Sequence, residues 1–186
     1  MSKNLRLRNR SLTFYAWRCK INLYLSLPLL TSAALIQSVW LSRVNLWGAR
    51  PDLVLLVVLA WAVVRGVNEG LVWSFIGGLV VDLLSGGPLG ATALALLSAA
   101  LLAGQPWGKR IGSPVVRLLP LALLSVAAYH MVLLVILAWT GHPVDWGFAL
   151  LRVAGPSVLL NALLAPFVRQ PLAWLSQRIR REGLNL

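Results

Sequence analysis

Few residues in this chain can do chemistry, and their positions decide what kind. Asp82 follows the apolar run that starts at Leu71 and leads straight into Leu83-Leu84-Ser85-Gly86-Gly87-Pro88-Leu89-Gly90. Asp52 opens the run Leu53 to Val64, and Arg152 stands inside the run Trp146 to Val168. A charge within a lipid-spanning segment costs roughly 2.5–3.5 kcal/mol on insertion scales, so each of these side chains needs a partner or a route to the interface. Ion pairing is the chemistry on offer. Asp82 and Arg152 fall at similar depth and are expected to pair, with Asp52 as a second candidate partner; the other reading is that each reaches the interface separately, Arg152 by its long stem. His130 and Asn161 are lone polar residues in apolar runs. They fit a proton or substrate path, or more commonly a hydrogen bond to a neighbouring helix. His142 and Asp145 belong to a solvated loop.

No catalytic set emerges. The five acids and two histidines are scattered, and no nucleophile–base pair, phosphate loop or metal-ligand cluster accompanies them. An enzyme is not expected, nor a cofactor or metal. The single cysteine, Cys19, excludes an internal disulfide and any multi-cysteine metal site.

The elements that position these residues follow from composition. Hydrophobic residues make up 59% of the chain and charged ones 12%, with a mean hydropathy of +0.78. A soluble domain of this size needs more polar surface, and lipid is the solvent that tolerates such a sequence. The fold class is all-α membrane protein, a bundle of about six short transmembrane helices. The runs are Ile21 to Leu41, Leu53 to Val64, Leu71 to Leu84, Leu89 to Ala103, Val116 to Trp139 and Trp146 to Val168. The second and third rise only about 18 to 21 Å against a core of about 30 Å, so they extend through flanking residues or form a re-entrant hairpin. The basic leader and first apolar run resemble a signal peptide, but apolar character persists to Leu41, and an uncleaved first helix is expected.

Basic residues set the orientation. With both termini cytoplasmic, every lysine and arginine except Arg43, Arg50 and Arg152 falls on the inner side. Trp40, Trp47, Trp107, Trp139, Trp146 and Trp174 fall at span ends, where indole rings prefer the headgroup level. The domain division is a basic cytoplasmic tail over 1–20, a helical bundle over 21–168 and a basic C-terminal segment over 169–186. In that last segment Leu172, Leu175 and Ile179 recur at helical spacing, as in an interfacial amphipathic helix. The formal charge of +12 therefore points to anionic lipid headgroups. Nucleic acid is excluded, since no nucleic-acid module accompanies the charge.

Small residues mark the contact faces. Ala91, Ala95, Ala99 and Ala103 are four apart and share one face, and Gly70, Ser74, Gly78 and Asp82 form a similar row. Such stripes let helices approach closely, either inside the bundle or against another protein. The loop Ser85 to Gly90 carries no charge and makes a tight hairpin, small enough to sit flush with the membrane under a partner.

Arg50-Pro51-Asp52-Leu53-Val54-Leu55-Leu56, Trp61, Gly70, Gly77, Asp82 and the run Leu84-Ser85-Gly86-Gly87-Pro88-Leu89-Gly90 resemble the MreD family of rod shape-determining membrane proteins. The likeness is densest from Arg50 to Ala95. It implies a non-enzymatic component of the cell-elongation machinery in the bacterial cytoplasmic (inner) membrane. The implied partners are MreC, a single-span protein, and with it RodA, a penicillin-binding transpeptidase and the MreB filament, organising peptidoglycan synthesis. On that reading the MreC contact falls on the alanine stripe and the hairpin, from Asp82, Ser85, Gly86, Gly87, Pro88, Leu89 and Gly90 to Ala91, Ala95, Ala99 and Ala103, and leucine at Ala95 and Ala99 weakens it. The family is also similar in fold to the substrate-binding subunits of energy-coupling-factor transporters. The alternative is therefore a vitamin-binding subunit, whose pocket would draw on Asp52, Asp82, Arg152, Trp47, Trp61 and Trp73.

Overall fold

The computed structural model describes residues 26–39, 51–105 and 114–182, with side chains described over 26–39, 51–105 and 118–178. All regular structure among them is helical. Helix α1 is Ser26–Val39, α2 is Leu53–Arg65, α3 is Val67–Ser85, α4 is Ala91–Ala103 and α5 is Pro114–Trp139. The last helix, α6, opens at Trp146–Phe148, loosens into a π-helical turn over Ala149–Ala154 and resumes as Gly155–Glu182. Cys19, the 1–20 tail, Arg43, Arg50, Trp40, Trp47, Trp107, Lys109 and Arg110 lie outside the described residues.

Helix α2 is the axis of the bundle. Every side chain from Val54 to Ala62 is buried, so its apolar run shows no polar face. Around it pack α3, α4 and α6, with α5 against α4 and α6, and Leu30, Ala33 and Ala34 bring α1 into the same core. One residue, Gly66, reverses the chain between α2 and α3. Its φ of 96° with ψ of 178° is a conformation that essentially only glycine adopts, at a cost of about 1–3 kcal/mol to other residues.

Hydrogen bonds fix the register. The backbone N–H of Asp52 donates to Asn161 Oδ1 at 2.9 Å. At the other end of α2, Arg65 Nη2 lies 3.5 Å from the carbonyl of Ser176. Helices α2 and α6 thus run side by side in the same direction. Asn161 accordingly sits beside the start of α2, fifteen residues and about 22 Å along α6 from Trp146.

Three helical segments are long and apolar enough to cross a membrane: Val67–Ser85, Leu118–Trp139 and Trp146–Arg178. The third run of the sequence gains its missing length at its N-terminus, from Val67 through Gly70. Helices α2 and α4 remain short, at 13 residues each, about 20 Å. The C-terminal segment also differs from expectation. Instead of a separate interfacial helix after Pro171, α6 continues through Pro166 and Pro171 to Glu182, and Leu172 and Ser176 are buried. The apolar spacing of that segment serves packing within the bundle.

Candidate functional site

Asp82 lies three residues before the end of α3 and is 2% exposed. Its carboxylate accepts backbone N–H groups from the far side of the turn: Oδ2 from Gly90 at 2.8 Å and Ala93 at 3.4 Å, and Oδ1 from Thr92 at 3.0 Å. The first N–H groups of a helix have no intrahelical acceptor, and the helix dipole adds about half a positive charge there. Asp82 therefore supplies from α3 the cap that Gly90, the residue preceding α4, has no side chain to give. The tight turn lets it reach: Gly86 and Gly90 hold φ values of 67° and 92°, and Ser85 Oγ donates to the Asp82 carbonyl at 3.4 Å. The Asp-Leu-Leu-Ser-Gly-Gly-Pro-Leu-Gly element is a loop closed by its own carboxylate.

That geometry replaces the expected ion pair. Asp82 meets N–H groups rather than a guanidinium, and Arg152 is exposed on α6. The ion pair found among the described residues joins Arg65 to Glu69, Nε to Oε2, at 3.7 Å. A ring of backbone donors at a helix N-terminus satisfies a buried carboxylate without the burial of a second charge.

Asp52 is the second knot. It caps α2 through Oδ1, which accepts from Leu55 N at 2.9 Å, and its Oδ2 accepts from the Tyr129 hydroxyl of α5 at 3.0 Å. Gln37 of α1 accepts from Val54 N at 3.1 Å. With Asn161, itself donating to the Ser157 carbonyl, the start of α2 ties α1, α5 and α6 together. Tyr129 and Gln37 gave no signal in the sequence, because a lone tyrosine or glutamine in an apolar run carries no spacing pattern.

The small-residue rows are both turned into the bundle. Ala91, Ala95, Ala99 and Ala103 are all buried, Ala95 and Ala99 at 0% exposure. A Cβ added to Gly78 would stand 2.2 Å from Ala93 Cα, and one at Gly70 would stand 2.6 Å from Ala62 Cβ. The stripe is thus consumed by internal packing and presents nothing to a partner. The hairpin tip is the reverse: Leu83 and Leu89 are each 73% exposed, and Ser85, Gly86 and Gly87 are exposed beside them.

The remaining candidates do not converge on a pocket. Trp61 and Trp73 stack on each other, ring centroids 4.1 Å apart and 13° from parallel, buried between α2 and α3, with Arg65 5.4 Å from the Trp61 ring centroid. His130 Nδ1 is 2.9 Å from the Val126 carbonyl of its own helix, and its ring meets Tyr129 edge-on. A groove of about 640 Å³ lies between α5 and α6, lined by His130 and otherwise by apolar side chains. Asp52, Asp82, Trp61 and Trp73 are not among its lining residues.

What the arrangement can do is hold shape: two carboxylates pin helix starts, and the α3–α4 turn leaves Leu83 and Leu89 exposed. The family model for the rod shape-determining protein MreD matches residues 19–179. No curated protein matches the chain, and no solved structure does. The match covers most of the chain, which belongs to the MreD family of membrane proteins.

Proposed function

We propose that this MreD-family chain is a scaffold of the cell-elongation machinery that binds the single-span protein MreC through the tip of its α3–α4 hairpin. Membership of the family implies a role in rod shape determination. The observation that carries the finer reading is the contrast within one hairpin: an apolar tip at Leu83 and Leu89, 73% exposed, on a turn held by three hydrogen bonds to one carboxylate. A pinned tip offers a fixed shape, so a partner that docks on it loses little ordering entropy. Between helices in lipid, where there is no hydrophobic driving force, that preorganisation and close packing decide association.

On this reading the chain has no turnover of its own. Through MreC it sits with RodA, a penicillin-binding transpeptidase and MreB, in the bacterial cytoplasmic membrane with both termini inside. Its basic tails face anionic headgroups. The test is co-purification with MreC from mild detergent. The double variant Leu83→Ser, Leu89→Ser should lose most of the recovered MreC while keeping the parent's thermal stability. Leucine at Ala95 and Ala99 should instead lower stability, since both are fully buried. Undiminished MreC recovery by the tip variant removes the docking assignment.

A further inference from the structure

Among the described residues Arg152 is a cation without an ion-pair partner. The five acids are Asp52, Glu69, Asp82, Asp145 and Glu182. Asp52 and Asp82 are engaged at the starts of α2 and α4, Asp145 accepts from Phe148 N at 3.2 Å, and Glu69 pairs with Arg65. Glu182 ends α6, on the opposite side of the bundle. Arg152 itself is exposed and lies six residues past Trp146, about 9 Å along the helix. If Trp146 marks the headgroup level, as interfacial indoles do, the guanidinium belongs to the hydrocarbon edge of that leaflet, and its stem lets the charged head rise toward the interface.

The groove between α5 and α6 adjoins it. Leu151 and Ala154, on either side of Arg152 in the π-helical turn, both line it, with Leu123 and Met131 opposite and Leu159 below. The turn is where the helix widens: Gly155 N bonds to the Leu150 carbonyl, and Pro156 has no N–H to offer Arg152. A cation beside an apolar groove, with a stem that lets its head rise toward the interface, matches a molecule with a negative head and a long apolar chain.

We infer that this groove binds one anionic phospholipid, its phosphate on Arg152 and an acyl chain along Leu123, Met131 and Leu159. The guanidinium favours an anionic head over a zwitterionic one, whose ammonium would have only the exposed Asp145 to meet, about 10 Å nearer the loop. A partner's transmembrane helix is the other candidate occupant, and nothing lining the groove beyond His130 would give such a helix a specific contact.

The test uses the full chain in liposomes that contain either a phosphatidylglycerol or a phosphatidylcholine analogue with a photoreactive acyl chain, with labelled peptides mapped by mass spectrometry. The phosphatidylglycerol analogue should label the Leu123–Met131 and Leu150–Leu159 peptides at least fivefold more than the phosphatidylcholine analogue. That is the factor one cation contributes at a membrane surface. Arg152→Gln should abolish the preference at those peptides and leave it intact at the basic tails. Ala127→Phe, which fills the groove and keeps the guanidinium, should remove labelling there. The proposal is overturned by equal labelling from the two lipids, by an unchanged preference in Arg152→Gln, or by protection of the groove in native membranes by a cross-linked protein helix.

Discussion

Replacing Asp82 with alanine tests the central structural claim. The substitution strips the start of α4 of its acceptor and leaves Gly90 N, Thr92 N and Ala93 N facing a residue site that is 2% exposed. Hydrogen bonds within membrane proteins average about 0.6 kcal/mol, because the unfolded chain in lipid also finds partners. Three such bonds set a floor near 2 kcal/mol. Loss of an N-cap costs up to about 2 kcal/mol, and an orphaned buried donor costs about 1–3 kcal/mol; these overlap with the bonds already counted. The expected loss is therefore about 2–4 kcal/mol, roughly a thirtyfold to several-hundredfold shift in the folding equilibrium. Asp82→Asn keeps an acceptor but turns an amide toward a donor, and should lose about half as much. The assay is detergent-titrated unfolding followed by tryptophan fluorescence. The same assay separates this geometry from an ion pair: Arg152→Ala added to Asp82→Ala should be additive to within about 0.5 kcal/mol. A loss under about 1 kcal/mol in the single variant, or recovery of stability in the double variant, would refute the capping argument.

Three further outcomes follow from the same assay. Gly78→Ala should destabilise by about 2–3 kcal/mol, since its Cβ would collide with the Ala93 backbone; Gly87→Ala, whose nearest contact is Ser85 Oγ at 3.6 Å, should change little. Gly66→Ala should cost about 1–3 kcal/mol from backbone strain alone, as nothing lies within 4 Å of the added carbon. Tyr129→Phe and Asn161→Ala should each cost about 1–2 kcal/mol, and the double variant less than their sum, because both partners meet at Asp52.

Composition and run lengths carry the helical architecture because lipid leaves a buried or lipid-facing helix no reason to be polar. That is why α2 is legible as an uninterrupted apolar run and α5 as a long one broken by few polar residues. The same fact hides everything rotational. Without a polar face, nothing in the sequence of α4 says which way its alanines point; the burial of Ala91, Ala95, Ala99 and Ala103 decides it. Asp82 announced itself as a buried charge that needs a partner, but charge alone suggested a guanidinium. The acceptor geometry depended on a turn of Gly86 and Gly90 that brings main-chain donors back over α3. The last helix is longer than its apolar run, since α6 continues past Val168 through Pro171 to Glu182.

The register of the helices has one more consequence, for how deep the hairpin tip lies. Asp52 is level with Tyr129 through their hydrogen bond, and Trp139 stands ten residues farther along α5, about 15 Å. Helices α2 and α3 turn back on each other at Gly66, which places Val80 near the level of Asp52 and Ser85 about 7 Å above it. The tip is thus recessed by roughly 8 Å beneath the α5–α6 turn, and a partner touching Leu83 and Leu89 meets them within the bilayer, as a transmembrane helix would, rather than over its surface. In a Cys19→Ser background, a cysteine at Thr140 should react with a membrane-impermeant maleimide at least tenfold faster than one at Ser85, and only the Ser85 probe should be quenched by lipids brominated along the acyl chain. Equal rates with equal quenching would place the two turns at one level, and the tip would then have to be met from outside the membrane.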